Sequence, residues 1–327
     1  MNALLGVTRP NFLTLTLVCI VVAAAAALEQ RGSLVLLDLL AVTVLGLAAH
    51  VSVNAFNEYH DYQSGLDFKT QRTPFSGGSG TLVHAPHLAG ATLGIAVASL
   101  GLTIAAGVWL AWTHSWQLLG LGALGVAVIF SYTQYLNRSP LLCLLAPGVG
   151  FGLCLTLGAS WVLSGGAQGI ETALVSSHAG MEGGFVGSNV GSIGASTWLV
   201  AIVMTLLVSN LLLLNQFPDV EADRSIGRRH LPIVWGEARS ARVFALTYVL
   251  TYGCIAGAVL VQLVTPWVLL SGVSLLLSVP LIRQVLRTPQ QVSEKIHLLG
   301  MNVAVIHILP LLLAAGLLTS WWLGQSA

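Results

Sequence analysis

The chain has 327 residues, of which 55% are hydrophobic and only 8% are charged, and its formal net charge is +1. A mean hydropathy of +0.84 excludes an ordinary soluble domain and is typical of a protein that crosses a membrane several times. The four cysteines form no CxxC pair, so the sequence indicates neither a zinc site nor a disulfide framework. The small net charge gives no indication of a nucleic-acid partner.

Nine apolar segments are each long enough to cross a bilayer core, which needs about 20 helical residues. They are too long and too continuously apolar for the strands of a membrane barrel. The sequence therefore predicts an all-α bundle of nine transmembrane helices in a single membrane-embedded domain, residues 1–327. The predicted segments are 11–27, 35–56, 88–112, 116–136, 141–164, 197–217, 241–263, 267–286 and 298–323.

The lysines and arginines favour a cytoplasmic N-terminus and an external C-terminus. In that orientation twelve of the thirteen cations lie in cytoplasmic segments, and only Arg31 lies on the other side, as the positive-inside rule predicts. We expect a multi-pass protein of the inner (plasma) membrane whose acidic motifs face the cytoplasm. In the alternative interpretation, Arg9 and the stretch from Ala23 to Ala27 belong to a cleaved signal peptide, which would leave eight helices.

The first group of polar residues follows the second predicted helix. Asn57 and Asp61 lie one turn apart on one helical face, Glu58 follows Asn57, and Asp67 comes six residues after Asp61. A basic segment with Lys69 and Arg72 comes next, and then the glycine-rich stretch 75–81. That stretch either lets backbone N–H groups approach a phosphate or simply forms a turn.

The sixth predicted helix ends in a matching pattern. Asn215, Asp219 and Asp223 repeat the four-residue spacing, and Arg228 and Arg229 follow them. The match suggests two related halves, roughly 1–140 and 141–327, that share a ligand site at their interface; convergence of polar loop sequences is the alternative. The intervening loop, 165–196, has nine glycines and no lysine or arginine. We expect it to be flexible and external, so that activity survives its shortening.

The concentration of acids suggests a divalent cation. The two motifs hold six of the twelve acidic residues, and like charges one helical turn apart are destabilising without a counter-ion. Mg²⁺ takes oxygen ligands and commonly shares its site with substrate phosphates, while arginine binds phosphate oxygens with a planar fork. Acids and arginines together indicate a diphosphate, and the membrane bundle indicates that the rest of the substrate is a lipid.

The two motifs resemble those of the UbiA superfamily of intramembrane prenyltransferases, and the resemblance covers nearly the whole chain. That family has nine helices, with one aspartate-rich motif after helix 2 and another after helix 6. The first motif is most similar to the menaquinone branch (1,4-dihydroxy-2-naphthoate polyprenyltransferase-like), although Glu58 replaces the usual Asp. The matching positions are Asn57, Tyr59, Asp61, Gly65 and Asp67, then Asp219, Asp223, Gly227, Arg228 and Arg229, and Tyr132, Tyr135 and Arg138, where the usual Lys is absent.

The resemblance implies Mg²⁺-dependent transfer of a polyprenyl group from a polyprenyl diphosphate to an aromatic quinone precursor. It implies Asn57, Asp61, Asp219 and Asp223 as metal ligands. It also gives catalytic roles to Asp61, Asp67, Asp219 and Asp223, with Asp67 or another acid of the first motif orienting or deprotonating the acceptor. The residues expected to bind the diphosphate are Asn57, Lys69, Arg72, Tyr132, Arg138, Asn215, Arg228 and Arg229.

Two other functions stay open at this point. A lipid transporter or lipid-binding protein would explain the helices but has little need for two acidic motifs on one membrane face. The same metal chemistry also serves a non-quinone acceptor or a terpene cyclisation. Among the isolated polar residues, His50 lies one turn before Asn54 in the second predicted helix. It either faces the cavity with Asn54 or only joins two helices.

Overall fold

The computed structural model describes residues 3–165 and 193–325, and within those ranges it contains helices and no strand. Eight helical spans are long and apolar enough to cross a membrane. The ninth predicted segment, 116–136, forms a shorter apolar helix of 15 residues. In chain order the nine helices are α1 (Pro10–Arg31), α2 (Leu36–Gln63), α3 (Pro86–Thr113), α4 (Leu118–Tyr132), α5 (Pro140–Leu163), α6 (Ala195–Asn215), α7 (Glu237–Leu260), α8 (Pro266–Arg287) and α9 (Ile296–Gln325).

One short helical element precedes α1, and others occupy several connections between the spans. Most of the loop predicted to be flexible at 165–196, between α5 and α6, lies outside the described residues. The short elements are Ala3–Val7, Leu66–Phe68, Thr81–His84, Leu136–Arg138, Val220–Arg224, Leu231–Val234 and Pro289–Gln291.

Polar contacts define one end of the bundle. Asp38 in the first turn of α2 lies 3.0 Å from His114, which directly follows α3. Ser196 at the start of α6 donates a hydrogen bond of 2.7 Å to Glu29 near the end of α1. The starts of α2 and α6 and the ends of α1 and α3 therefore lie at one end of the bundle. The ends of α2 and α6, which carry the acidic motifs, lie at the other.

Helix α6 is the central helix, and α5 approaches it closely through small residues. A Cβ atom added to Gly152 would collide with the backbone nitrogen of Thr205, so a larger residue would push α5 away from α6. Gly148, four residues earlier, contacts Thr205 and Ser209 in the same way. Small residues at this spacing allow transmembrane helices to pack backbone to backbone.

Helix α5 widens after Pro147. A proline inside a helix removes one backbone hydrogen bond and clashes with the preceding turn, and α5 continues with π-helical hydrogen bonding over Val149–Leu157. π-Helical hydrogen bonding inside an α-helix is frequently found at functional sites. Here the π-helical stretch forms part of the cavity wall described next.

Candidate active site

A cavity of about 930 Å³ extends from the acidic motifs into the bundle. Its polar end contains all four predicted catalytic carboxylates, Asp61, Asp67, Asp219 and Asp223. The remaining wall is mostly apolar and comes largely from α4 and α5. Representative residues of that wall are Leu118, Leu121, Val126, Phe130, Phe151 and Leu155.

Arg228 connects the two acidic motifs. One terminal nitrogen of its guanidinium donates to Asp61 Oδ1, and the other donates to Asp223 Oδ1 at 2.9 Å. Asp223 Oδ2 lies 3.2 Å from Nε2 of His230. Lys69 adds a second connection, because its Nζ donates to Ser225 Oγ at 3.3 Å. The sequence-predicted motifs from the two halves therefore meet at one site.

The first motif is positioned by the end of α2. The helix continues to Gln63, so that Asn57 and Asp61 occupy its last two turns. The chain then turns at Gly65, whose φ of 75° favours glycine. The turn leads into the short helix Leu66–Phe68, which buries Asp67 beside the end of α2.

The four-residue spacing predicts that Asn215, Asp219 and Asp223 share one helical face, but the structure divides them between two helices. Helix α6 ends at Asn215, and Asp219 and Asp223 lie on the separate short helix Val220–Arg224 and its N-terminal boundary. Pro218 explains the break, because proline lacks an N–H donor and restricts the residue before it. The four-residue spacing still places the two carboxylates one turn apart, since the Asp223 N–H donates to the Asp219 carbonyl at 2.9 Å.

Several side-chain oxygens at the polar end are buried without a hydrogen-bond partner. They are Oδ2 of Asp67, Oδ1 of Asn215, Oε1 of Gln216 and Oδ1 of Asp219. A buried acceptor without a donor costs about 1–3 kcal/mol, and a bound cation would remove that cost.

Burial and then the charge of Asp61 raise the pKa of Asp67 to about 7. Burial and then the charge of Asp223 raise the pKa of Asp219 to about 7.

These oxygens suit a hard cation, but they do not form a complete metal cage. In the part of the chain that the structure describes, no three Asp, Glu, His or Cys side chains are grouped as metal ligands. Arg228 lies between Asp61 and Asp223 and its single positive charge offsets one of the two negative charges. Asn57 Oδ1 accepts a hydrogen bond from Thr133. The donor set nevertheless fits Mg²⁺, which takes carboxylate and amide oxygens and retains several waters.

Glu58 supports the glycine-rich stretch. Its side chain is buried, with Oε1 accepting from the backbone N–H of Ser79 and Oε2 from the Ser79 hydroxyl, both at 2.6 Å. Gly78 has a φ of 73°, and a Cβ there would lie 3.1 Å from Asp67 Oδ1. Because Ser76, Gly77 and Gly78 line the cavity, the glycine-rich stretch forms a wall against the acids.

Four of the predicted basic residues lie outside the lining of this cavity. Lys69 is bound to Ser225, and Arg72 Nη2 donates to the backbone carbonyl of Asp67 at 2.9 Å. The backbone N–H of Arg229 donates to the carbonyl of Asn137 at 2.9 Å. Arg138 lines a second, polar cavity of about 340 Å³. That cavity shares Asp61, Asn137 and Arg228 with the main one.

The other predicted residues line the main cavity, together with some that the sequence analysis did not assign to the site. Tyr132 and Asn215 are part of its wall. His50 both joins two helices and faces the cavity. Its Nδ1 lies 2.8 Å from Oγ1 of Thr16 on α1, and the residue also lines the cavity. The unpredicted cavity residues include Arg9, Asn137 and Gln216. The sequence analysis used Arg9 as a topology signal. Its position in the sequence alone does not distinguish a topology signal from a residue of the cavity wall.

Comparison with known proteins gives the family of the chain. The family model described as the UbiA prenyltransferase family matches residues 16–306. A relative from Bacillus subtilis (strain 168), 1,4-dihydroxy-2-naphthoate octaprenyltransferase, is 28% identical over 260 residues, which are 80% of this chain and 74% of the relative.

Solved structures show the same fold. A UbiA homologue from Aeropyrum pernix K1, in its apo form, has a TM-score of 0.64 at 19% identity and covers 93% of this chain and 97% of its own. A UbiA homologue from Archaeoglobus fulgidus bound to GPP and Mg²⁺ has a TM-score of 0.61 at 11% identity, with 98% and 99% covered. The chain is a multi-pass, all-helical membrane enzyme that belongs to the UbiA prenyltransferase family.

Proposed function

We propose that this protein transfers a polyprenyl group from a prenyl diphosphate to an aromatic quinone precursor within the membrane, in a Mg²⁺-dependent reaction. The observation that carries the proposal is the meeting of both acidic motifs and Arg228 at the polar end of an apolar cavity. The naphthoate octaprenyltransferase supports the aromatic acceptor. The homologue bound to GPP and Mg²⁺ supports the donor class and the metal.

The polar end would bind the diphosphate. Asn57, Asp61, Asp219 and Asp223 would hold Mg²⁺, which when bound neutralises the diphosphate and makes it a better leaving group. Arg228 contributes a guanidinium fork that matches phosphate oxygens and exchanges its present carboxylate partners for them. The other proposed diphosphate-binding residues are Lys69, Arg72, Tyr132, Arg138, Asn215 and Arg229.

The transfer itself forms one carbon–carbon bond. The allylic C–O bond of the donor breaks, and its electron pair leaves with the diphosphate. A carbon of the electron-rich ring attacks the allylic cation, and the ring then loses a proton to recover its aromaticity. Asp67, with a pKa of about 7, is the proposed proton acceptor, because a base is most effective when its pKa lies near the working pH.

The apolar wall has two roles in this reaction. Side chains such as Phe130 on α4 and Phe151 on α5 would contact the isoprenoid tail, which gains stability from burial of its apolar surface. The same wall keeps water away from the allylic cation, and water would otherwise capture it and yield an alcohol.

The proposed topology has nine crossings, with the acids on the cytoplasmic side of the inner membrane. Support comes from connectivity: α3 ends beside Asp38, at the end away from the acids, whereas α5 begins at Pro140, next to the acid-end residues Asn137 and Arg138. Helix α4 must therefore return between the two ends. Its 15 residues span about 22 Å, and the residues flanking them extend that length.

The proposal is tested with purified protein, a polyprenyl diphosphate and 1,4-dihydroxy-2-naphthoate. We expect pyrophosphate release and a prenylated ring detected by mass spectrometry, both requiring Mg²⁺ and both lost with a chelator. Omission of the acceptor is the control, and pyrophosphate release that does not depend on it would favour cyclisation or hydrolysis. Binding of the diphosphate without any pyrophosphate release would favour a transporter or lipid-binding protein.

A further inference from the structure

Arg9 adopts an unusual backbone conformation at the start of α1. Its φ of 51° and ψ of 62° lie in the left-handed region, which costs a non-glycine residue about 1–2 kcal/mol. Pro10 follows it, and a residue before proline prefers an extended conformation. Such conformations persist only where the surroundings impose them, and they cluster at functional sites.

Neighbouring residues hold this bend in place. The side chain of Asn54 on α2 donates to the carbonyl of Thr8 at 3.0 Å. The Arg9 N–H donates to the Gly6 carbonyl at 3.0 Å, and the Phe12 N–H donates to the Arg9 carbonyl at 2.9 Å. The guanidinium lies 4.5 Å from the centroid of the Phe12 ring. The bend therefore directs a cation against an aromatic surface in the cavity wall.

The Arg9 guanidinium has no ion-pair partner within residues 3–165 and 193–325. Both terminal nitrogens of Arg228, by contrast, are bound to carboxylates. A cation that lines the interior of a membrane bundle is rare and indicates a functional-site candidate. Arg9 lines the same cavity as Asp61 and Asp219, so its side chain borders the same space as the acids. The position of Arg9 therefore suits an anionic group of a substrate.

We propose that Arg9 binds the carboxylate of the aromatic acceptor, an inference that rests on the proposed function. The diphosphate has its own binding groups at the two acidic motifs, including Arg228. The second anion in the reaction is the carboxylate of a hydroxylated aromatic acid, and a guanidinium binds a carboxylate with two parallel hydrogen bonds. Phe12 and His50 line the same cavity and offer aromatic surfaces for the ring.

The test uses Arg9→Asn, because asparagine tolerates the left-handed conformation and lacks the guanidinium. We expect this variant to raise the KM for 1,4-dihydroxy-2-naphthoate by about tenfold or more, about 1.4 kcal/mol, and to leave the KM for the prenyl diphosphate within about twofold. Arg9→Lys should be intermediate, because it keeps the charge without the fork. The matched control is Arg31→Asn at the far end of α1, which should change neither constant.

A second acceptor separates carboxylate binding from a general structural effect. With 1,4-dihydroxynaphthalene, which lacks the carboxylate, wild type and Arg9→Asn should have equal kcat/KM values. A loss that is equal for both acceptors, or a rise in the prenyl diphosphate KM alone, would overturn the assignment of Arg9. A wild-type enzyme that prenylates neither ring would overturn the proposed function and this inference with it. Prenylation that is unaffected by Arg9→Asn would overturn only the inference.

Discussion

Arg228 is the residue that joins the two motifs, and its shape matters as much as its charge. It donates to Asp61 and Asp223 through separate nitrogens, a geometry that a lysine ammonium does not reproduce. We predict that Arg228→Lys inserts normally but lowers kcat/KM for the prenyl diphosphate by about tenfold or more, about 1.4 kcal/mol. Steady-state kinetics at saturating Mg²⁺ provide the measurement.

Arg229→Lys is the matched control for this variant. Arg229 is the next residue in the chain, and it lies outside the lining of the cavity in the described structure. Its replacement should therefore have a smaller effect. Wild-type kinetics in both lysine variants would mean that the two arginines serve only the topology of the protein.

Asp67 and Asp219 give the ligand-free protein a pH-dependent stability. Their pKa values rise from the ordinary 3.8 to about 7 on folding. A raised pKa contributes stability that is fully present below about pH 3.8 and is lost as the pH rises through about 7. We predict that the midpoint of thermal unfolding falls between about pH 5 and about pH 8, and that Mg²⁺ with a prenyl diphosphate reduces the fall. A midpoint that rises over this interval would contradict the assigned burial of these acids.

The position of the glycine-rich stretch depends on the contact between Glu58 and Ser79. Glu58 accepts two hydrogen bonds from Ser79, and bonds to a charged group contribute about 1.5–3 kcal/mol each. We predict that Glu58→Gln and Ser79→Ala each lower kcat/KM by about tenfold and that the double variant is no worse than either, because both remove the bond from the Ser79 hydroxyl and leave the bond from its backbone N–H.

A metal-ligand role for Glu58 would give a different pattern. Glu58→Gln alone would then shift the Mg²⁺ concentration at half-maximal activity, and Ser79→Ala would not reproduce its effect. Additive losses in the double variant would likewise contradict the contact seen here. Thr319→Ala is a matched control for the removal of a hydroxyl, because Thr319 bonds only within its own helix.

Element by element, the long apolar runs were predictable and the interruptions were not. Eight predicted segments correspond to spans long enough for a membrane, because twenty or so apolar residues leave few alternatives. Helix α4 is shorter than predicted, since its last turn gives way to an irregular segment after Tyr132. The π-helical stretch of α5 depends on its contacts with α6 as well as on Pro147, and periodicity does not reveal such contacts.

In the candidate site, too, the sequence predicts features that depend on local spacing and misses those that depend on tertiary contacts. The carboxylates and Arg228 were predictable from spacing and repetition, because charges in an apolar chain are conspicuous. Arg9 was not, because a cation at the start of a transmembrane helix is expected whatever the function. Its unpaired guanidinium and left-handed backbone arise from tertiary contacts, so only the structure distinguishes it from a topology signal.

At the scale of the whole molecule, the connectivity gives a prediction about sidedness. The 165–196 loop follows the end of α5, and its last residues lie beside the end of α1, at the end away from the acids. We predict that a cysteine introduced into this loop reacts with an impermeant reagent in intact cells and that one near Gly78 does not. Permeabilised cells provide the control, and equal labelling of both sites in intact cells would contradict the proposed orientation.

The central claim is that acids from both halves of the chain act on one diphosphate. Its most direct test is Mg²⁺-dependent pyrophosphate release by Asp61→Ala, from the first half, and Asp219→Ala, from the second. Glu221→Ala is the control, because its side chain is 86% exposed and pairs only with Arg224. We predict that each aspartate variant folds but loses roughly a thousandfold in rate, while the control stays within about twofold of wild type. Near-normal activity in either purified aspartate variant would contradict the account.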